Sequence, residues 1–215
     1  MEGYRPVEVK VWGELACFTR PEMKVERVSY PVMTPSAARG VLEAVYWKPQ
    51  FRWLVREIVV LREPAFISIL RNEVNSRASE RRARSQIEHG AGYYAEEDRA
   101  QRHTLALRDV AYVIRADVGV GPGVTESPAK FRDQFRRRVK RGQSFAQPYL
   151  GCREFAAWFG EPLGDEKPID RTEELGSMLF DIDYAAGEQG RGTPLFFSAR
   201  MASGVLRVPA ELYGG

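Results

Sequence analysis

Histidine and cysteine are scarce in this 215-residue chain, with two of each. Cys17 and Cys152 are too few for a disulfide scaffold or a thiolate zinc site. The spacings His-x-x-x-His and Cys-x-x-Cys are both missing, and no acidic cluster marks one strand edge, so neither a metal nor a cofactor is expected. Asp181 and Asp183 lie two apart, but a salt-bridged surface pair accounts for them. A P-loop and a nucleophile elbow are also missing, which sets aside nucleotide hydrolysis and serine-hydrolase chemistry. No apolar run approaches the roughly 18–20 residues that span a bilayer. The first residues lack the apolar core of a secretory signal. A soluble, reducing, cytoplasmic setting with no membrane partner is therefore expected. Internal repeats and low-complexity tracts are absent as well.

Apolar residues make up 44% of the chain, enough to bury a core for one domain, or one domain with an appendage. Net charge is only +3, but it is unevenly placed. Between 130 and 141 stand Lys130, Arg132, Arg136, Arg137, Arg138, Lys140 and Arg141, against Asp133 alone. Such a stretch attracts phosphate, or it is simply the solvated face of a helix.

Val7, Val9 and Val11 alternate with polar residues and predict a strand with one buried face. Thr34 and Pro35 predict a helix start, an N-capping hydroxyl followed by proline at the tolerant first position. Ala38, Val41, Leu42 and Val45 then form one apolar stripe, and Pro49 ends the helix near Tyr46 or Trp47. Residues 51–62 and 66–75 predict two strands around Pro64. From about 76 to 103 the pattern fails, and a long charged loop, with at most a helical turn, is expected. A strand follows at 104–118, with Val110, Tyr112, Ile114, Ala116 and Val118 on one face. Ser127 and Pro128 open a second helix that ends at Gly142, with Phe131, Phe135 and Val139 inward. Further strands are expected near 145–157, 175–184 and 194–208. The order strand, helix, strand, strand, helix, strand is that of a ferredoxin-like α+β fold. The RRM shares this topology and binds single-stranded RNA on its open sheet face. Residues 1–157 are read as this domain, with the charged insertion at about 76–103, and 158–215 as a smaller β-rich part.

Four segments are more specific: Ser36 to Pro49 with its Tyr46-Trp47-Lys48-Pro49 ending, Leu107 to Tyr112, Ser127 to Phe131, and Tyr149 to Phe155. In this order they resemble the subtype I-C CRISPR-associated RAMP endoribonucleases, variant d of the fifth Cas family, over roughly the whole chain. The resemblance implies an RRM-like N-terminal domain and a mostly β C-terminal part. It implies metal-independent cleavage of CRISPR repeat hairpins in precursor guide RNA through the RNA's own 2′-hydroxyl. It implies that the protein then stays on the 5′ handle of the guide, beside the other subunits of a Cascade-type complex. The family's catalytic tyrosine matches Tyr46, and its lysine matches Lys130. The histidine that follows that lysine in the family is Phe131 here. Gly187, Gly190 and Gly192 loosely echo the glycine-rich loop of RAMP proteins.

Cleavage through a 2′-hydroxyl requires that oxygen to be activated, the phosphorane charge to be stabilised and the leaving oxygen to be protonated. Lys130, an ammonium at a helix start, suits the second task, or is a solvated lysine on a basic helix. Tyr46 is a poor base at neutral pH, since a free phenol titrates near about 10. It orients the 2′-hydroxyl, is drawn toward phenolate by nearby cations, or merely closes the helix end. Of the two imidazoles, His103 is the better substitute for the missing histidine, and His89 the weaker. Cleavage by tyrosine and lysine alone is the third possibility. Lys48, Arg102, Arg108 and Arg137, with Lys130, are candidate phosphate contacts. Trp47, Tyr93 and Tyr94 are candidates for stacking on unpaired bases. Three functions remain open: an endoribonuclease that keeps its product, a non-catalytic subunit that binds the 5′ handle, or a general RRM-like RNA binder unrelated to CRISPR.

Overall fold

The structure, a computed structural model, describes residues 5–23, 25–76, 79–88, 94–184 and 192–214. His89, Tyr93, Gly187 and Gly190 lie outside them. Among the described residues no helix is long and apolar enough to cross a membrane.

Mixed α/β architecture dominated by strands follows from the periodicities above. Strand β1 (Val7–Ala16) buries Val7, Val9 and Val11 on one face. Helix α1 (Pro35–Val45) begins where Thr34 Oγ1 accepts the Ala37 N–H at 3.2 Å, and it buries Ala38, Val41, Leu42 and Val45. After the helix comes β3 (Phe51–Val60), then β4 (Ala65–Val74), helix α2 (Glu80–Glu88) and the long β5 (Arg99–Val120). Helix α3 (Pro128–Lys140) starts on Ser127 and turns Phe131, Phe135 and Val139 inward. The chain closes with β6 (Trp158–Gly160), β7 (Glu173–Asp183), β8 (Thr193–Ala202) and β9 (Val205–Arg207). A two-residue β2 (Arg27–Val28) pairs parallel with β5.

The strands form one sheet with the order β6-β1-β5-β3-β9-β8-β7. β5 is antiparallel to both β1 and β3, and β1 is antiparallel to β6. β3 and β4 run one after the other along the same side of β5, with Phe51 opposite Val120 and Val74 opposite Arg99. The first half of β5 and β4 thus form a two-stranded arm beyond the main sheet. α1 and α3 pack on the face that carries Trp53 and Phe51, where Trp53 meets Phe135 at 4.7 Å and Phe51 meets Phe131 at 4.8 Å between ring centres.

Three expectations change. The charged stretch 76–103 is not a single loop: 80–88 is helical and 99–103 already belongs to β5, because β4 supplies a partner whose backbone groups pair whatever the side chains. The strand expected at 145–157 is reduced to one bridge, Tyr149 to Ala156, and the strand lies at 158–160. Residues 194–208 form two strands, since Ser203 and Gly204 both take positive φ (46° and 73°) and turn the chain back on itself. Asp181 is ion-paired with Arg39 of α1, as expected of a structural acid.

Candidate active site

The end of α1 and the body of α3 meet because each satisfies groups the other leaves open. An α-helix ends with carbonyls that have no partner within the helix. Here Val45 O accepts from Arg138 Nη1 at 2.8 Å. Ala44 O accepts from the backbone N–H groups of Phe145 and Ala146 at 2.8 and 3.1 Å, just beyond the end of α3. α3 stops at Gly142, whose φ of 62° lets Gln143 N–H return to Arg138 O at 2.9 Å. Tyr46, the residue that caps α1, is thereby held against α3.

Tyr46 is 5% exposed, and its ring lies 5.5 Å from that of Phe51, with the Arg138 guanidinium over it at 5.1 Å. Its carbonyl accepts the Trp53 indole N–H at 2.9 Å. Burial pushes the phenol above its ordinary value, and the nearby cations Arg138, Lys130 and Arg137 pull back without overcoming it, while Glu126 adds to the rise. Tyr46 is therefore a neutral phenol at neutral pH, a hydrogen-bond donor and not a base. Lys130 is well exposed in the first turn of α3, 3.7 Å from Glu126. Such an exposed pair is weak, on the order of 0–1 kcal/mol, and yields readily to a phosphate. Lys48 is exposed just past Tyr46, and Arg137 is exposed on α3 with Nη2 donating to Gln134 Oε1 at 2.7 Å. Phe131 occupies the core against Phe51 and carries no titratable group.

The other candidates are elsewhere. His103 lies near the start of the 22-residue β5, whose far end meets Phe51 beside Tyr46. It is opposite Leu70, with Nδ1 3.5 Å from Ser68 Oγ. At about 3.3 Å per residue the strand carries it tens of ångströms from the Tyr46 end. Arg102 shares that part of the arm, and its Nη2 donates to Asn75 Oδ1 at 3.1 Å. Arg108 is exposed at the arm's base. The structure thus brings Tyr46, Lys130, Arg137 and Lys48 to one end and leaves His103, Arg102 and Arg108 along the arm. The reason is strand pairing: residues 99–108 follow β4 rather than folding back as a loop. Trp47 and Tyr94 are both exposed, Trp47 at the α1 end and Tyr94 near the arm's tip.

The sheet face away from the helices, where an RRM would bind RNA, is occupied internally. Arg115 bonds Glu8 and Glu57 at 2.7 and 2.9 Å, Arg56 bonds Asp117 at 2.9 Å, and Lys10 pairs with Glu166 at 3.2 Å. The four carboxylates named are thus each paired with a cation of the same surface. Among the described residues no group of three or more His, Cys, Asp or Glu is placed to hold a metal ion.

A family profile described as CRISPR-associated protein (Cas_Cas5) matches residues 7–209. The chain belongs to the Cas5d family. It is 47% identical to the CRISPR pre-crRNA endoribonuclease Cas5d of Thermus thermophilus, over 96% of this chain and 93% of that protein. It is 43% identical to the CRISPR pre-crRNA endoribonuclease Cas5d of Mannheimia succiniciproducens, over 94% of each. A crystal structure of a CRISPR-associated protein superposes at a TM-score of 0.68 with 21% identity, covering 99% of this chain and 96% of that one, a likeness of fold.

The segments that carry the Cas5d resemblance have local physical reasons. In Tyr149 to Phe155, Gly151 has φ 84°, and a Cβ there would stand 2.1 Å from Cys17 O. Only glycine lets this turn dock on the end of β1, where Cys17 N–H donates to Leu150 O at 3.0 Å. In Leu107 to Tyr112, Asp109 adopts φ 52° where the neighbour of β5 changes from β4 to β3. Arg138 and Glu126, both acting on Tyr46, were missed from sequence. Their charge was visible, but nothing in the spacing ties them to a residue some ninety positions away in one case.

Proposed function

We propose that this chain is an endoribonuclease that cuts the repeat hairpins of precursor CRISPR RNA and then holds the 5′ handle of the guide beside the other subunits of a Cascade-type complex. The observation that carries the reading is the meeting of a neutral phenol, Tyr46, with the cations Lys130, Arg137 and Arg138 at one junction of two helices. The names of two relatives, at 47% and 43% identity, support the same activity. The strand order β6-β1-β5-β3, antiparallel throughout, with α1 and α3 on one face, supports a ferredoxin-like core. Residues 1–157 form most of it, and the β-rich 158–215 part supplies β6.

In this mechanism no metal takes part. Lys130, at the positive end of α3, stabilises the charge of the phosphorane as the 2′-oxygen, its proton passing to solvent water, bonds to the neighbouring phosphorus and the bond to the 5′-oxygen breaks, that oxygen taking a proton from water. Tyr46 donates a hydrogen bond that orients the reacting ribose, and Arg137 and Lys48 hold flanking phosphates. Arg102 and Arg108, with His103 between them, contact RNA that runs along the arm, away from the cut.

The test is cleavage of a repeat hairpin in chelator, leaving a 2′,3′-cyclic phosphate. A 2′-deoxy nucleotide just upstream of the cut abolishes it; full activity on that substrate would falsify the mechanism. One observation favours a second reading, a non-catalytic handle-binding subunit: Phe131 fills the core where the family has histidine, and His103 is paired opposite Leu70 on the arm. Tight binding of the hairpin with no cleavage over many hours decides for that reading.

A further inference from the structure

Phe145 is the most conspicuous apolar side chain near this junction, 81% exposed in the loop that follows α3. Its backbone is not loose. Its N–H is bonded to Ala44 O, two residues before Tyr46, and the loop's start is locked by Gly142 and the Gln143 N–H bond to Arg138 O. A large apolar ring in water, on a backbone held at both ends, offers its face to something flat. Beside it opens a cleft of about 660 Å³ lined by Gln134, Arg138, Gly142, Gln143, Ser144 and Phe145. Gln134 and Gln143 can each donate and accept, and Ser144 does both through one hydroxyl. Arg138 lies between this cleft and the Tyr46 ring.

We propose that Phe145 and this cleft form a subsite for one unpaired nucleobase adjoining the scissile phosphate. The base stacks on the Phe145 ring, and the amides and Ser144 face its edge. Arg138 separates the stacked base from the phenol at Tyr46 and neutralises the phosphate between them. The surrounding charge argues for a nucleotide over an apolar protein surface. Arg138 lines the cleft beside Phe145, and Arg137, Lys140 and Arg141 stand at the end of the helix that leads into its loop, so a hydrophobic partner would strip water from cations there with no anion in return. A nucleotide brings both the flat ring and the anion. The inference rests on the endoribonuclease reading and deepens it, by placing a base-selective contact at the cut.

The experiment uses the full chain and a repeat hairpin with 2-aminopurine at single positions flanking the cut, made uncleavable by one 2′-deoxy ribose. At one position wild-type protein quenches the fluorescence severalfold. Phe145→Leu removes the quench and weakens hairpin binding about tenfold, within the range for losing one base–aromatic stack, whereas Phe145→Tyr keeps both. An unchanged quench in Phe145→Leu, or no quenched position at all, overturns the subsite. Cleavage of the all-ribose hairpin is scored in parallel. Cutting without the quench sinks the subsite alone, quench without cutting sinks the catalytic reading alone, and no hairpin binding by wild type overturns both.

Discussion

Lys130 and Tyr46 make different demands on a substitution. Lys130→Ala is expected to slow single-turnover cleavage about 100-fold or more, the scale of losing one group that stabilises developing charge. Tyr46→Phe removes only the donor and is expected to cost about tenfold to 100-fold. Because burial holds the Tyr46 phenol above its ordinary value, the group stays protonated through the neutral range and titrates only in strong alkali. The ratio of wild-type to Tyr46→Phe rates is therefore flat from pH 6 to 8, while a ratio rising tenfold per pH unit would mean that the phenolate acts. His103→Ala leaves the rate on bound RNA within about twofold. Phe131→Ala costs about 3–5 kcal/mol of stability in denaturant unfolding, as for other large buried aromatics. Residues at the two helix termini were legible, since capping and proline rules locate such ends in sequence. Arg138 was not, because its partner is a carbonyl on another helix. His103 was misplaced because a strand's position is decided by its neighbour.

Arg27, Glu73, Arg71 and Glu154 close a ring of ion pairs at 3.1, 2.7, 2.9 and 2.8 Å, tying β2, β4 and the Tyr149 to Phe155 turn together. β4 otherwise gains its ladder from β5 alone. Partly exposed pairs are worth up to about 1 kcal/mol each. Glu154→Gln weakens two of the four, so amide exchange in β4 should quicken on the order of fivefold with α1 and α3 unchanged. Equal quickening in the helices would show that the ring stabilises the whole fold rather than the arm. Elements whose own periodicity is strong, such as β1, α1 and α3, were readable without coordinates. Residues 99–103 were not, since Arg99, Gln101, Arg102 and His103 look like loop and become strand only beside β4. Ser203–Gly204 is a turn signal that the apolar residues around it obscured.

For the molecule as a whole, modest net charge conceals two groups of cations. Lys48, Lys130, Arg137 and Arg138 lie at the helix junction, and Arg102 and Arg108 on the arm. An RNA strand that neutralises its phosphates on all six loses affinity with salt at a log–log slope of about −4. Replacing Arg102 and Arg108 together by alanine should reduce the slope to about −3 and weaken binding, yet leave the rate of cutting bound RNA unchanged. A slope that does not move confines the RNA to the junction. The mixing of helices with a majority of strands was legible from sequence. The joining of 158–215 to the same sheet was not, because edge pairing depends on which strands lack a neighbour.

That joining has a consequence for synthesis. β6 lies against β1 on one side and β9 against β3 on the other, and both arrive after residue 157. A nascent chain that has reached 157 presents two bare strand margins at once, ready to zip onto any extended peptide nearby. Maturation on the ribosome should therefore stay incomplete until both β6 and β9 have emerged. Stalled products would clump, and a chaperone that masks naked strands would have most to do at that moment.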